Sequence, residues 1–426
     1  MANKKKVLTD RFYLGEGAIY PADPRVSGIN GNVAVVGGTG VGKTFSCVLP
    51  LLLNNTCQSM VVPINKRSII DQTRSTLTEH GYDVQVIDFA KGESTIGFNP
   101  LKFIHDEQDA STFGRTVVGK ICDNDPYWDI TSINVISALA QLEVLTAREY
   151  NTTPSLSNFL HNYRDLSSAI FGSGRSSSFS SRMPESLENL DNDFEYLESR
   201  IGPNGATTTW KSLPFKADKT ISSIMSTLNV GMSQFTESVT KSAGMYNSID
   251  FESLGRKKTV LFVVTSPFDV ECSRYVNLFY SMLLKELMNS ASAKPDYKLD
   301  IPVQIIFDDF ACGTPIINFD RYISIFRAAG ISTILLLQSE SQLEAIYEKA
   351  GATTILNNCD TYVYMGGNDL GTCLEVARRC NKDASSILNM ELNKVIIFRR
   401  GAEPVFTNRY PILKDKAYIK IDTERS

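Results

Sequence analysis

The eight residues Gly37-Gly38-Thr39-Gly40-Val41-Gly42-Lys43-Thr44 constrain this chain more than any other stretch of it. They fit the pattern G-x-x-x-x-G-K-[ST]. An apolar run from Asn32 to Val36 precedes them, and Lys43 to Leu53 reads as a helix. Strand, glycine-rich turn and helix together are the context in which the pattern forms a phosphate cradle rather than a chance loop. The glycines let successive backbone N–H groups converge on phosphate oxygens. The start of the helix adds partial positive charge. Lys43 is expected to reach the β- and γ-phosphates of ATP, and the Thr44 hydroxyl to ligate Mg²⁺. Gly37, Gly38, Thr39, Gly40, Val41, Gly42, Lys43 and Thr44 are therefore the candidate ATP-binding set.

Such a loop needs an acid to hold the metal. Val303-Gln304-Ile305-Ile306-Phe307-Asp308-Asp309 is a mostly apolar strand ending in two carboxylates. Asp308 would sit at the strand's C-terminal end, where open α/β sheets bind ligands, and hold Mg²⁺ through water. Asp309 would polarise the attacking water. An ordinary strand end capped by acids would look the same. The next strand, Ile331 to Leu337, ends at Gln338, an amide placed to sense the γ-phosphate. Arg327 lies on the helix leading into that strand. Its planar fork suits phosphate oxygens; a plain surface charge is the alternative.

Strands at Ser59 to Val62 and Val84 to Phe89 flank a helical stretch from Ile69 to His80. Others follow at Thr259 to Thr265, Val303 to Phe307, Thr333 to Leu337, Thr361 to Tyr364 and Val395 to Arg399. Strands alternating with helices predict an α/β fold with a predominantly parallel sheet. Between Ile130 and Phe235 no strand is evident. Ile133, Ile136, Leu139, Leu142 and Leu145 recur at helical spacing. Phe171 to Ser181 holds six serines and two glycines and reads as a loop or tip. The expected organisation is a nucleotide-binding domain over 1–129 and 236–426, with an all-α domain inserted at 130–235.

The 426 residues carry a net charge of −4. A protein that coats DNA with its whole surface would be basic, so any DNA contact must be a local patch or a channel. Eight cysteines without a C-x-x-C pair, and only three histidines, argue against a zinc site. They suit reduced thiols in a cytosolic protein. The apolar runs Val48 to Leu53 and Ile331 to Leu337 fall short of the ~20 residues of a membrane span.

The motifs resemble those of the TraG-type coupling proteins of type IV secretion, the conjugative DNA-translocating ATPases. The resemblance covers nearly the whole chain. It rests on the loop at 37–44, Gly97-Phe98-Asn99-Pro100-Leu101, Asp125-Pro126-Tyr127-Trp128 and Ile306-Phe307-Asp308-Asp309-Phe310-Ala311. Arg327-Ala328-Ala329-Gly330-Ile331, Gln338-Ser339 with Gln342-Leu343, Asn358-Cys359-Asp360, Gly366-Gly367-Asn368-Asp369 and Arg400-Gly401-Ala402-Glu403-Pro404 complete it. The resemblance implies a RecA-like P-loop domain with an inserted all-α domain concerned with substrate choice. It implies a homo-hexameric ring that receives a relaxase-bound single DNA strand, the relaxosome, and passes it to type IV secretion channel proteins. Arg327 matches the family's arginine-finger position.

Three departures stand out. Most related motors carry glutamate where this chain has Asp309. The turn that is acidic in the family, Asp-Pro-Lys-Gly-Glu, reads Pro63-Ile64-Asn65-Lys66-Arg67. The family usually begins with transmembrane helices, and no span is evident here. The expected location is thus cytoplasmic, at the inner face of the membrane, through a separate membrane anchor protein or an anchor outside this sequence. Two other functions share the motifs: the assembly ATPase of the same apparatus, and a non-catalytic ATP-binding adaptor.

Overall fold

The computed structural model describes residues 9–90, 94–119, 126–171, 185–213, 218–233, 235, 249–266, 273–308, 310 and 315–423. Asp309, Ala311, Asp125 and the serine-rich stretch 172–181 lie outside the described residues. The chain forms two compact units. One takes the described parts of Met1–Thr95, Asp250–Phe268 and Leu283–Ser426, the other those of Ile96–Ile249 and Asp269–Met282.

The first unit is built on strands β1 (Arg11–Gly15), β2 (Ala18–Pro21), β3 (Val33–Val36), β4 (Ser59–Ile64), β5 (Asp83–Asp88) and β6 (Thr259–Val264). It continues with β7 (Val303–Phe307), β8 (Ile331–Leu337), β9 (Thr361–Tyr364), β10 (Lys394–Arg399) and β11 (Val405–Asn408). β1 and β2 form a separate antiparallel pair. The other nine form one sheet in the order β11-β10-β9-β3-β8-β7-β4-β6-β5. From β9 to β5 every pairing is parallel, while β10 and β11 add an antiparallel edge. The α/β fold with a predominantly parallel sheet is as expected from the sequence. The physical reason is plain in β3, β4, β6 and β7, whose residues are all buried. Runs such as VAVV and TVLFVV do not alternate, because helices cover both faces of a parallel sheet.

Pro63 sits inside β4, where a missing N–H would cost a ladder bond. The β4–β7 ladder covers only Ser59–Val61, so the sheet has already opened on that side.

The second unit is helical. Among the described residues it contains helices Glu107–Val118, Pro126–Glu149, Leu156–Phe171, Glu185–Ile201, Gly205–Ser212 and Asp218–Ser233. Phe98, Phe113, Phe159, Tyr275 and Phe279 are fully buried in it. The helix Pro126–Glu149 is long and apolar enough to cross a membrane, a property the reading of shorter apolar runs missed. Most of it is buried inside the unit, with Val135, Ile136 and Leu139 inaccessible to solvent. A helix apolar on all sides is what the centre of a helical core requires.

Candidate functional site

In the parallel sheet β3 lies directly beside β8, and β8 beside β7. The three C-terminal ends therefore share one edge, which brings together the glycine-rich loop, Gln338 and Asp308.

The loop is seated on the sheet by its backbone. Gly37 N donates to Leu337 O at 3.0 Å, and Gly38 N to Gly366 O at 2.9 Å. Gly40 and Gly42 have φ of 76° and 78°, in the left-handed region where a side chain is strained. The Gly366-Gly367 pair is the loop's floor. Gly366 has φ 88°, and a Cβ on Gly367 would lie 3.4 Å from Gly38 N. Gly366-Gly367 entered the sequence reading only as part of a motif match; adjacent glycines just past the end of β9 are the signal that marks such a close approach.

Lys43 is buried, and its Nζ reaches back to Gly37 O at 2.6 Å and Gly38 O at 3.2 Å. The ammonium is thus already curled over the loop's concave side. Thr44 Oγ1 donates to Asp308 Oδ2 at 3.2 Å. A hydroxyl and a carboxylate meeting directly after the loop's lysine is the oxygen donor set that suits a hard cation. The expected helix after the loop opens as a π-helical turn, Thr44–Val48, before the α-helix Leu49–Asn54. Pro50 has no N–H to bond Ser46 O, and Leu49 N instead bonds Thr44 O, one residue farther back.

Gln338 is the half-buried first residue after β8. Asp309 falls outside the described residues; on either side of it, Asp308 meets Thr44 and Phe310 stacks on Tyr347 with ring centroids 5.3 Å apart. Arg327 is not with the others. It is exposed in the last turn of the helix Phe319–Ala329, which feeds the start of β8. It therefore lies at the opposite edge of the sheet from Gln338, about 20 Å away along a seven-residue strand.

Two other motifs have a structural use. Arg67 of the basic turn forms an ion pair with the buried Asp88, Nη2 to Oδ2 at 2.7 Å. The Asn358-Cys359-Asp360 block is a latch at the N-terminal edge. Asn358 O accepts from the side-chain amides of Asn30 and Asn32, each at 3.0 Å. Asp360 Oδ2 accepts from Asn30 N at 2.7 Å, tying the start of β3 to that of β9.

The sequence profile of the family described as type IV secretory system conjugative DNA transfer matches residues 2–382. This chain belongs to that family. The likeness to TraG-type coupling proteins drawn from the motifs thus holds, and places the chain in conjugation and type IV secretion. No curated protein matches it in sequence. Among solved structures it is similar to the bacterial conjugative coupling protein TrwBdeltaN70 in its unbound monoclinic form. The TM-score is 0.66 at 16% identity, over 95% of this chain and 89% of that one. It is similar also to plasmid coupling protein TrwB in complex with ADP and Mg²⁺, with TM-score 0.63 at 16% identity, over 96% and 90%. At that identity the likeness speaks for the fold alone: a RecA-like α/β architecture accompanied by an all-α part.

Proposed function

We propose that this family member is an ATP-driven coupling protein that recruits relaxase-bound single-stranded DNA and moves it to the type IV secretion channel. The observation that carries the reading is the Thr44–Asp308 hydrogen bond beside Lys43, at the C-terminal edge of a parallel sheet. In this reading Lys43 and the loop N–H groups hold the β- and γ-phosphates. Thr44 and Asp308 would hold Mg²⁺, which offsets charge on the phosphates when bound. TrwB, whose fold this chain shares, has been solved with ADP and Mg²⁺. Asp309 takes a proton from the attacking water, and Gln338 senses the γ-phosphate. Arg327 completes the site of a neighbouring chain in a homo-hexamer.

The helical segment 130–235 selects the substrate, and a separate membrane protein or an anchor outside this sequence brings the chain to the inner face of the membrane. The deciding experiment measures ATP turnover with and without single-stranded DNA. Stimulation by DNA is expected. DNA-independent turnover would favour an assembly motor of the same apparatus, and nucleotide binding without turnover an adaptor.

A further inference from the structure

Arg409, the first residue after β11, belongs to no motif of the sequence. Its backbone N donates to Asn393 O at 2.9 Å, which fixes the start of its side chain. The guanidinium then reaches the phosphate loop. Its Nη1 lies 3.9 Å from where a Cβ on Gly42 would stand. Its Nε is buried without a hydrogen-bond partner, and no described carboxylate pairs with it. Burial pushes its pKa below the usual arginine value. Lys43 is a second cation on the same loop, its Nζ at Gly37 O and Gly38 O. Two cations beside one glycine-rich loop repel each other, and an anion placed between them would relieve that cost.

The same C-terminal segment presents an aromatic edge. Phe45, which follows Thr44, is 43% exposed and meets the Tyr418 ring edge-on with centroids 6.0 Å apart. Tyr418 is held there because Ile412 and Ile421 pack on Leu49 and Leu53 of the helix after the loop. Asp415 secures the segment further, accepting from Asn54 Nδ2 at 3.0 Å and Tyr410 Oη at 2.6 Å.

We propose that Arg409 is a nucleotide-binding residue acting within its own chain on the non-transferred phosphate, with Phe45 and Tyr418 forming the apolar wall beside ribose and base. Lys43 serves the transferred end of the same nucleotide, and Arg409 approaches from the Gly42 side. The inference rests on the nucleotide reading given above.

The test titrates ADP and a non-hydrolysable ATP analogue into the wild type, Arg409→Ala and Arg409→Lys, and follows thermal unfolding with and without ADP. Loss of a charge-assisted hydrogen bond should weaken both ligands about tenfold or more in Arg409→Ala, and equally, because both carry that phosphate. Arg409→Lys should recover affinity. Removing an unpaired cation should leave the unliganded Tm unchanged or raised, while the upward shift with ADP shrinks. Arg409→Ala binding ADP within about twofold of wild type would overturn the inference alone. So would a loss confined to the ATP analogue, or weaker binding with a lowered unliganded Tm, which marks a packing residue. A wild type that binds neither nucleotide would overturn the functional reading itself, and this inference with it.

Discussion

Thr44 and Asp308 stand 264 residues apart in the chain and are joined by a hydrogen bond of 3.2 Å. One closes the glycine-rich loop after β3, the other follows β7, and β8 lies between them. The bond shows that the phosphate loop and the acid are assembled by the sheet itself.

Lys43→Ala should abolish ATP hydrolysis, with a loss of at least ~10²-fold, because phosphoryl transfer depends mainly on positioned charge. Thr44→Ala should leave the fold intact and weaken nucleotide binding chiefly when Mg²⁺ is present. Binding would be measured with Mg²⁺ and with EDTA. Wild-type turnover in the Lys43 variant would remove this site from the mechanism.

Asp309→Asn should bind nucleotide as the wild type does and lose hydrolysis by ~10²-fold or more, the usual contribution of a positioned general base. The expectation comes from its place directly after Asp308, which the structure sets against Thr44. Stopped turnover with retained binding is the expected pair of results. Normal turnover would move the base to another residue.

Much of this site was legible in advance because it is local. The glycine pattern, the apolar runs and the acids that end one of them are short-range signals. They place β3, β7 and β8 within a residue or two of where they stand. What escaped depends on distant partners. β1 and β2 are only five and four residues long and pair with each other alone, and β11 exists through pairing with β10. Arg409 meets the loop only because the C-terminal segment packs on the helix after it. Asn358-Cys359-Asp360 was visible as a motif, yet only the fold shows that it braces the sheet at the end away from the glycine-rich loop.

That brace has a measurable worth. Asp360→Ala leaves Asn30 N without its acceptor in a nearly buried site and removes the partner of Arg400. It should lower unfolding stability by about 1–3 kcal/mol, the cost of a lost hydrogen bond to a charged group. Nucleotide affinity at low temperature should be unchanged, because the latch lies at the opposite edge from the loop. Urea midpoints and ADP titrations on one preparation would check both parts. An affinity loss without a stability loss would mean the latch shapes the site directly.

Arg327 gives the sharpest prediction because of where it is. It stands at the N-terminal edge of the sheet, a full strand length from Gln338, so it does not reach the phosphate loop of its own chain. If this arginine acts on a nucleotide, that nucleotide belongs to another chain. In a ring the neighbour's loop would be that site, and an arginine supplied in trans is worth ~10³-fold or more in rate. Arg327→Ala should therefore bind nucleotide normally and hydrolyse at background rate, and wild-type turnover per chain should rise with protein concentration. Mixing Arg327→Ala with Lys43→Ala, each inactive alone, should restore part of the activity, since an intact loop can then face an intact arginine. If rings shown to be mixed stay inactive, Arg327 is not the shared residue.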